Sequence, residues 1–324
     1  MKDSNDSELL TRLAWMYYCG GMNQQEIAEE LSLPRIKVVR LLKSALDMGI
    51  VHITIEKSRF SLLSIELELK KISGLQYCVV VPSVPDLVDA LSRGMAHLCN
   101  DIIGITGNLG FGFSRSLGHL DLYLKKGKCS INSVVSICGT TSPNLALRSF
   151  NSGFHIAQAL NVDFYTILAP VIVDPGLKGA ELKRNRYVSM VLEMAKNVDY
   201  ALVGIGNVDD SQLTDLKYIT DEDYKQIVSS NAVGEIIAHY FTIDGKIKPT
   251  KIDDRLISVD FPMKCPVIAA AGGLKKVGAI AGAIRSGFIQ GLVTDEKTAL
   301  ALIEKLRIEP LPNEKPAAKR KILK

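Results

Sequence analysis

From Leu75 onward the chain repeats one pattern, a short, continuously apolar run rich in β-branched residues followed by a stretch of helical period. The runs fall at 77–81, 102–105, 133–137, 163–168, 200–205, 267–270 and 288–293, and helices are predicted over 86–99, 152–160, 184–197 and 275–286. Strands that are apolar throughout must be covered on both faces. Helices lying between them in sequence provide that cover when the strands are parallel. The pattern therefore predicts an α/β fold with a mainly parallel sheet over 75–309.

In such sheets ligands collect at the carboxyl ends of the strands. Four of those ends are unusual. Gly110-Phe111-Gly112-Phe113-Ser114 leads toward a helix beginning near Arg115. Cys138-Gly139-Thr140-Thr141-Ser142 follows the 133–137 run with three hydroxyls and a glycine. Gly204-Ile205-Gly206-Asn207 follows the 200–203 run, and Ala271-Gly272-Gly273-Leu274-Lys275-Lys276 opens a helix. Glycine lets backbone N–H groups approach an anion closely, and a helix N-terminus favours negative charge there. Any one such turn is explained by a tight strand-to-helix connection. Four in one sheet, two of them carrying hydroxyls or lysines, point to a phosphorylated small ligand. The candidate effector-binding residues from these turns are Gly112, Ser114, Gly139, Thr140, Thr141, Gly206, Gly273 and Lys276.

The region ahead of the sheet is different. Leu9, Leu13, Trp15 and Met16 give a helix over 8–19 an apolar stripe, and Gly20-Gly21 ends it. Asn23 can cap a second helix with Glu26 completing a capping box. Ile27, Ala28 and Leu31 then face inward, and Gln24, Gln25, Glu29 and Glu30 face water. Ser32-Leu33 turns the chain, Pro34 suits the first position of a third helix, and Val38, Leu41, Leu42 and Ala45 form its buried side. Two short helices joined by a tight turn, the second with basic outer faces, fit the major groove of DNA. Arg35 and Lys37 are expected at or near base edges, Val39 against a thymine methyl, and Arg40 and Lys43 on phosphate, with Gln24 of the preceding helix in the same DNA-contact set. Residues 1–60 hold eight Lys/Arg and eight Asp/Glu, yet 35–43 has four basic residues and no acid. Phosphate affinity follows such local clusters. An alternating run, 49–55, reads as a small wing containing His52.

The expected organisation is a helix-turn-helix domain over 1–56, a linker helix over 57–74, an effector-binding and oligomerisation domain over 75–309 and a flexible basic tail over 310–324. That tail has five basic residues and one acid within 313–324. Six cysteines form no CxxC pair and no paired metal spacing, so reduced, mostly buried thiols in a cytoplasmic protein are expected. The polar N-terminus is not that of a signal peptide, and no apolar run reaches the ~18 residues needed to cross a bilayer. Neither a metal nor a cofactor is predicted.

The segment LAWMYYCGGMNQQEIAEELSLPRIKVVRLLKSALDMGIVHITI (13–55) resembles the helix-turn-helix of the SorC-type sugar-responsive transcriptional regulators. ALVGIGN (201–207), NAVGEIIAHYFTIDGK (231–246), AAAGGLKKVGAI (269–280) and GLVTDEKTAL (291–300) resemble that family's effector domain, in the family's order and spacing. Segments such as RLAWMYY resemble the subgroup that represses autoinducer-2 operons. The resemblance implies a Rossmann-like, sugar-isomerase-type effector domain, operator DNA and a phosphorylated sugar or sugar-like effector as partners, and a homo-oligomer, dimer or tetramer. It implies that Gly139, Thr140, Thr141 and Lys276 hold the effector phosphate, that Asp244 meets sugar hydroxyls, and that the 110–114 turn lines the pocket. Three departures stand out. Val171-Ile172-Val173-Asp174 replaces a loop that often bears a phosphate-binding arginine. Glu235 stands for the usual aspartate of a VGD-type helix, and Val39 for a serine of the recognition helix.

The rival function is a sugar-phosphate isomerase or deaminase on the same fold, with Asp244, Glu235, His239 and Lys276 as its acids and bases. Asp244-Gly245 also reads as a plain turn, His239 as a helix-face residue, and Asp295 as a first-turn acid of a helix. No Ser-His-Asp order, metal-ligand cluster or Walker-type motif is present, and the expected protein is not an enzyme.

Overall fold

The computed structural model of the chain describes residues 3–51, 57–141 and 152–308. The chain divides into two compact units, Met1–Phe60 and Ser61–Lys324.

The small unit holds α1 (Asp3–Tyr18), α2 (Gln24–Glu30) and α3 (Arg35–Asp47). Its core joins Leu13 and Met16 of α1 to Ile27 and Ala28 of α2 and to Val38 and Leu42 of α3. The inward stripe of α1 runs through Leu10, Leu13 and Ala14, and Trp15, expected on it, is 63% exposed. Two residues on from Leu13 is about 200° around the helix, which turns Trp15 away. Gly21 closes α1 at φ +68°. Asn23 caps α2 as expected. Its side chain accepts from Gln25 and Glu26 N–H at 2.9 and 3.0 Å, and the Glu26 carboxylate accepts from Asn23 N–H at 2.8 Å. Pro34 is the N-cap of α3 and not its first residue; its ψ of 136° is extended, and the helix opens at Arg35. Ile50 and Val51 pack against Leu10, Ala14 and Ala45. The rest of the expected wing, with His52, lies outside the described residues, as does the 310–324 tail.

The larger unit begins within α4 (Lys57–Ser73). Ile65 and Leu69 of this helix enter the main core, and the Glu66 carboxylate accepts from Val80 N–H at 2.8 Å. There follow β1 (Tyr77–Val81), α5 (Leu87–His97), β2 (Thr106–Phe111), β3 (Ser130–Thr140), α6 (Ser152–Leu160), β4 (Asp163–Pro170), α7 (Gly179–Lys183), α8 (Arg186–Lys196), β5 (Tyr200–Gly204) and β6 (Gly206–Asn207). Then come α9 (Gln212–Asp215), α10 (Asp221–Ser229), β7 (Ala232–Ile236), β8 (His239–Thr242), β9 (Val267–Ala270), α11 (Val277–Arg285), β10 (Gly291–Asp295) and α12 (Glu296–Ile308).

Seven strands form one parallel sheet in the order β1-β10-β9-β5-β2-β3-β4. Val80, Val135, Ile137, Val203 and Ala269 point into the core on one face, and Val79, Leu109, Val134, Leu202 and Ile268 into the core on the other. This is the double cover that the apolar runs predict. All six cysteines are free thiols, and burial pushes those of Cys78 and Cys138 up to about 12. No described helix is long and apolar enough to cross a membrane.

Three expected elements differ. The run 102–105 is not a strand. A π-helical turn, Leu98–Ile103, prolongs α5 and closes at Gly104 (φ +62°), and β2 starts at Thr106. A four-residue apolar run carries no period that separates helix end from strand. The 231–246 segment is a β-hairpin rather than a helix. Ile237 and Ala238 turn at φ 43° and 69°, and the Glu235 carboxylate accepts from Ala238 N–H at 2.9 Å across the turn. With β6 the hairpin makes a three-stranded sheet. Finally, β3 continues to Thr140, so Cys138-Gly139-Thr140 is strand and not turn.

Candidate functional site

In the parallel sheet, β2, β3 and β4 progress toward one edge, while β5, β9 and β10 progress toward the other. β2 and β5 are neighbours, so the strand order reverses between them. Crevices at the carboxyl ends of such a pair are where doubly wound sheets bind ligands. A narrow, partly open cleft lies there. Phe113 to Ser116 line it after β2, and Gly204 to Gly206 after β5. Asp210 and Gln212 ahead of and on α9, Glu235 on β7 and Lys276 ahead of α11 complete it.

The two glycines of β5 and β6 make room. A Cβ at Gly204 would lie 2.8 Å from Ser114 Oγ, and one at Gly206 would lie 2.2 Å from Glu235 Oε1. Glu235 is buried, and desolvation raises its carboxyl above the usual range against the opposing pull of Ala238 N–H, Lys276 and Arg115. Lys276 Nζ donates to Ile205 O at 2.8 Å. Desolvation and the nearby Arg115 lower its ammonium below the usual lysine range, with Glu235 pulling the other way. Arg115 donates to Asp215 Oδ2 at 2.7 Å and to Asp210 Oδ1 at 3.0 Å, which ties the 210–215 segment to the turn after β2. Ser114 and Gln212 are 3% and 6% exposed, yet among the described residues Ser114 Oγ and Gln212 Nε2 find no hydrogen-bond partner. Buried polar atoms are seldom left so. Two cations, Arg115 and Lys276, two carboxylates, Asp210 and Glu235, and the two unpaired neutral groups thus surround the crevice, a set able to hydrogen-bond a small polar ligand.

Of the effector residues expected from sequence, Ser114, Gly206 and Lys276 meet here. The others do not. Gly112 N–H donates to Leu202 O at 2.9 Å, and a Cβ there would strike Ile237, so this glycine seats the hairpin. Gly139 N–H is taken by Ile257 O at 2.8 Å, and Thr140 Oγ1 donates to Ala169 O at 3.3 Å. Gly273 sits at φ +95° with its N–H on Asp295 Oδ1 and Thr298 Oγ1, both at 2.8 Å. These glycine N–H groups are spent on the protein and form no anion cradle. Thr141 Oγ1, just past the carboxyl end of β3, is buried and has no hydrogen-bond partner among the described residues. Asp244 lies in the turn after β8, half-exposed and paired with Lys246 at 2.8 Å. The adjoining Gly245 packs on Arg285 and Ser286, at the end of α11 opposite to Lys276. Asp295 ends β10 and caps α12 through Thr298. His239 is a strand residue whose Nε2 meets Ser258 Oγ and Val259 O at 3.2 and 3.1 Å. Of the acids and bases of the rival enzyme, only Glu235 and Lys276 share the cleft. Among the described residues no cluster of His, Cys, Asp or Glu could hold a metal ion.

In the small unit Arg35, Lys37, Val39, Arg40 and Lys43 are exposed on α3, and Gln24 is half-buried. Sequence reasoning passed over Ile36, which is 70% exposed, and over Arg115, Asp210 and Gln212. The helical period of 35–45 carried the signal for Ile36. Nothing local marked Asp210 or Gln212.

Residues 58–304 match the sequence model of a family described as "Putative sugar-binding domain". The erythritol catabolism regulatory protein EryD of Brucella abortus is 30% identical over 94% of this chain and 98% of its own. The transcriptional regulator LsrR of Klebsiella pneumoniae is 30% identical over 92% and 93%. Among solved structures, the full-length sorbitol operon regulator SorC from Klebsiella pneumoniae superposes with a TM-score of 0.69 at 24% identity, over 92% of this chain and 99% of that one.

Proposed function

This chain belongs to the sugar-binding-domain family, as its SorC-type resemblance implies, and we propose that it is a transcriptional repressor released from its operator by a phosphorylated sugar or sugar-like effector. The observation that carries the reading is the pair of unpartnered buried atoms, Ser114 Oγ and Gln212 Nε2, beside Lys276 at the switch point of the sheet. In this reading Lys276 and Arg115 face the effector's anionic group. Glu235 accepts from its hydroxyls, and Ser114 and Gln212 complete their hydrogen bonds on it. Gly139, Thr140, Gly273 and Asp244 have no part in it.

The small unit supplies the other half. The capped α2 presents α3, whose basic face enters the major groove while phosphates are met by Arg40 and Lys43. Subunits paired through the larger unit would set two such helices on successive major grooves, about 34 Å apart. The effector shifts DNA affinity only through a difference in its own affinity for two subunit arrangements. Erythritol stands in the name of one relative, so small polyols and their phosphates are the first effectors to try.

The test is fluorescence anisotropy of the full chain on its own upstream promoter DNA, with and without sugar phosphates and the corresponding free sugars. A preference for the promoter that a sugar phosphate abolishes is expected. No preference for promoter over random duplex, together with no thermal stabilisation by any of these ligands, would overturn the reading.

A further inference from the structure

The outward face of α3 is not uniformly polar. Val38, Leu42 and Ala45 define its buried side. Ile36 stands about half a turn around the helix from Ala45, so it points straight out, and it is 70% exposed. Val39, one turn along on the same side, is 42% exposed. Arg35, Lys37, Arg40 and Lys43 surround the pair, with no acid anywhere in 35–43. An apolar strip framed by four cations fits a polyanion that carries apolar groups in its groove. A second copy of this helix would bring the same four charges and repel.

In the major groove the one alkyl group on a base edge is the 5-methyl of thymine. Ile36 and Val39 are separated by about 4.5 Å along the helix axis, near the 3.4 Å step between base pairs. We infer that Ile36 and Val39 together read the methyl groups of two neighbouring thymines in each operator half-site, while the flanking cations hold phosphate. The inference rests on the DNA-binding reading above and adds the base that is read.

The test begins by selecting preferred duplexes from a random pool with the full chain. Each thymine of the selected site is then replaced by uracil, which lacks only the methyl. Two adjacent replacements in a half-site should each weaken binding about fourfold, the worth of one buried methyl-sized group. The double variant Ile36→Ala, Val39→Ala should bind thymine and uracil duplexes alike. Both side chains are exposed, so the fold does not depend on them. Arg40→Ala should weaken both duplexes equally and keep the discrimination. If no thymine replacement matters, or if the double variant still discriminates, the inference is overturned while DNA binding stands. If no duplex is preferred over random DNA, the regulator reading fails and takes the inference with it.

Discussion

The small unit keeps most of its candidate recognising groups in water; the larger one buries Ser114, Gln212 and Glu235 among its own. On α3 the candidate contacts are exposed side chains of one helix, placed by its local period. At the switch-point cleft they come from four separate stretches of chain, 113–116, 204–212, 235 and 276, and include a buried carboxylate with raised pKa and a lysine with lowered pKa. Exposed groups cost the fold little and can be exchanged freely. Buried polar groups are costly unless each finds a partner. Substitutions in the two units should therefore differ in kind: loss of affinity alone in the small unit, and affinity entangled with stability in the larger.

The largest expected contrast comes from Arg255 and Asp223, a buried pair at 2.6 Å with side chains 8% and 7% exposed. Arg255 also donates to Val173 O. Arg255→Ala strands Asp223 and should destabilise the larger unit by about 3–5 kcal/mol, read by chemical denaturation. No exposed cation of α3 should cost as much when replaced, and an equal loss in Lys43→Ala would break the comparison.

Lys276→Met comes next. Loss of a charged hydrogen bond to a ligand is worth roughly 1.5–3 kcal/mol, so effector affinity should fall roughly 10- to 150-fold. Operator binding without effector should stay near normal. Titration calorimetry and anisotropy on the same preparation separate the two, and an unaltered effector affinity would remove Lys276 from the site.

In the small unit the corresponding weak point is the cap. Asn23→Ala removes the acceptor for Gln25 and Glu26 N–H and should cost about 1 kcal/mol. Operator affinity should fall with it, and effector affinity should not. A loss of effector affinity in this variant would mean that the units are less separate than their cores suggest.

The units should also part in their response to pH. Desolvation raises the Glu235 carboxyl in the folded chain, so the folded state holds that proton longer than the unfolded one. Its contribution is fully present below the ordinary carboxylate range and is lost as pH climbs through the raised value. Glu235→Gln cannot titrate and keeps an acceptor for Ala238 N–H. Relative to this variant, the wild type should lose stability as pH rises above the ordinary carboxylate range. Denaturation midpoints of the two proteins across that rise give the comparison, and parallel curves would place Glu235 in a wetter site than the fold shows.

How much of this was legible in sequence follows the same division. The capping box at Asn23, the stop at Gly21 and the exposed cations of 35–43 are local, and the structure places them as read. The apolar runs gave the parallel sheet because both faces are covered, and most runs survive as strands. The failures have physical causes. Trp15 was set inward by hydrophobicity where the helical period turns it out. The 102–105 run was too short to show any period. The hairpin at 231–246 depends on Glu235 reaching back to Ala238 N–H, a contact that no propensity records. The glycine turns lie at the carboxyl edge of the sheet, but which of their donors are free is not visible locally, since Gly139 and Gly273 give their N–H groups to Ile257, Asp295 and Thr298. Gln212 and Asp210 reach the cleft on the segment after β5, which Arg115 ties back across 95 to 100 residues of sequence.

The smallest expected effect tests that last point most sharply. Asp244 was the sugar-hydroxyl ligand implied by family resemblance. The structure sets it half-exposed in a hairpin turn, hydrogen-bonded by Thr242 and paired with Lys246, which together hold its carboxyl at about 2. It lies at the far end of α11 from Lys276, and its charge is already met by a neighbour. Asp244→Asn should therefore leave effector affinity within about twofold of wild type, the scale on which surface changes act. Glu235→Gln in parallel should weaken it more, because Glu235 faces the cleft. If the order is reversed, the effector reaches the hairpin turn, and the ligand is larger than the cleft between β2 and β5.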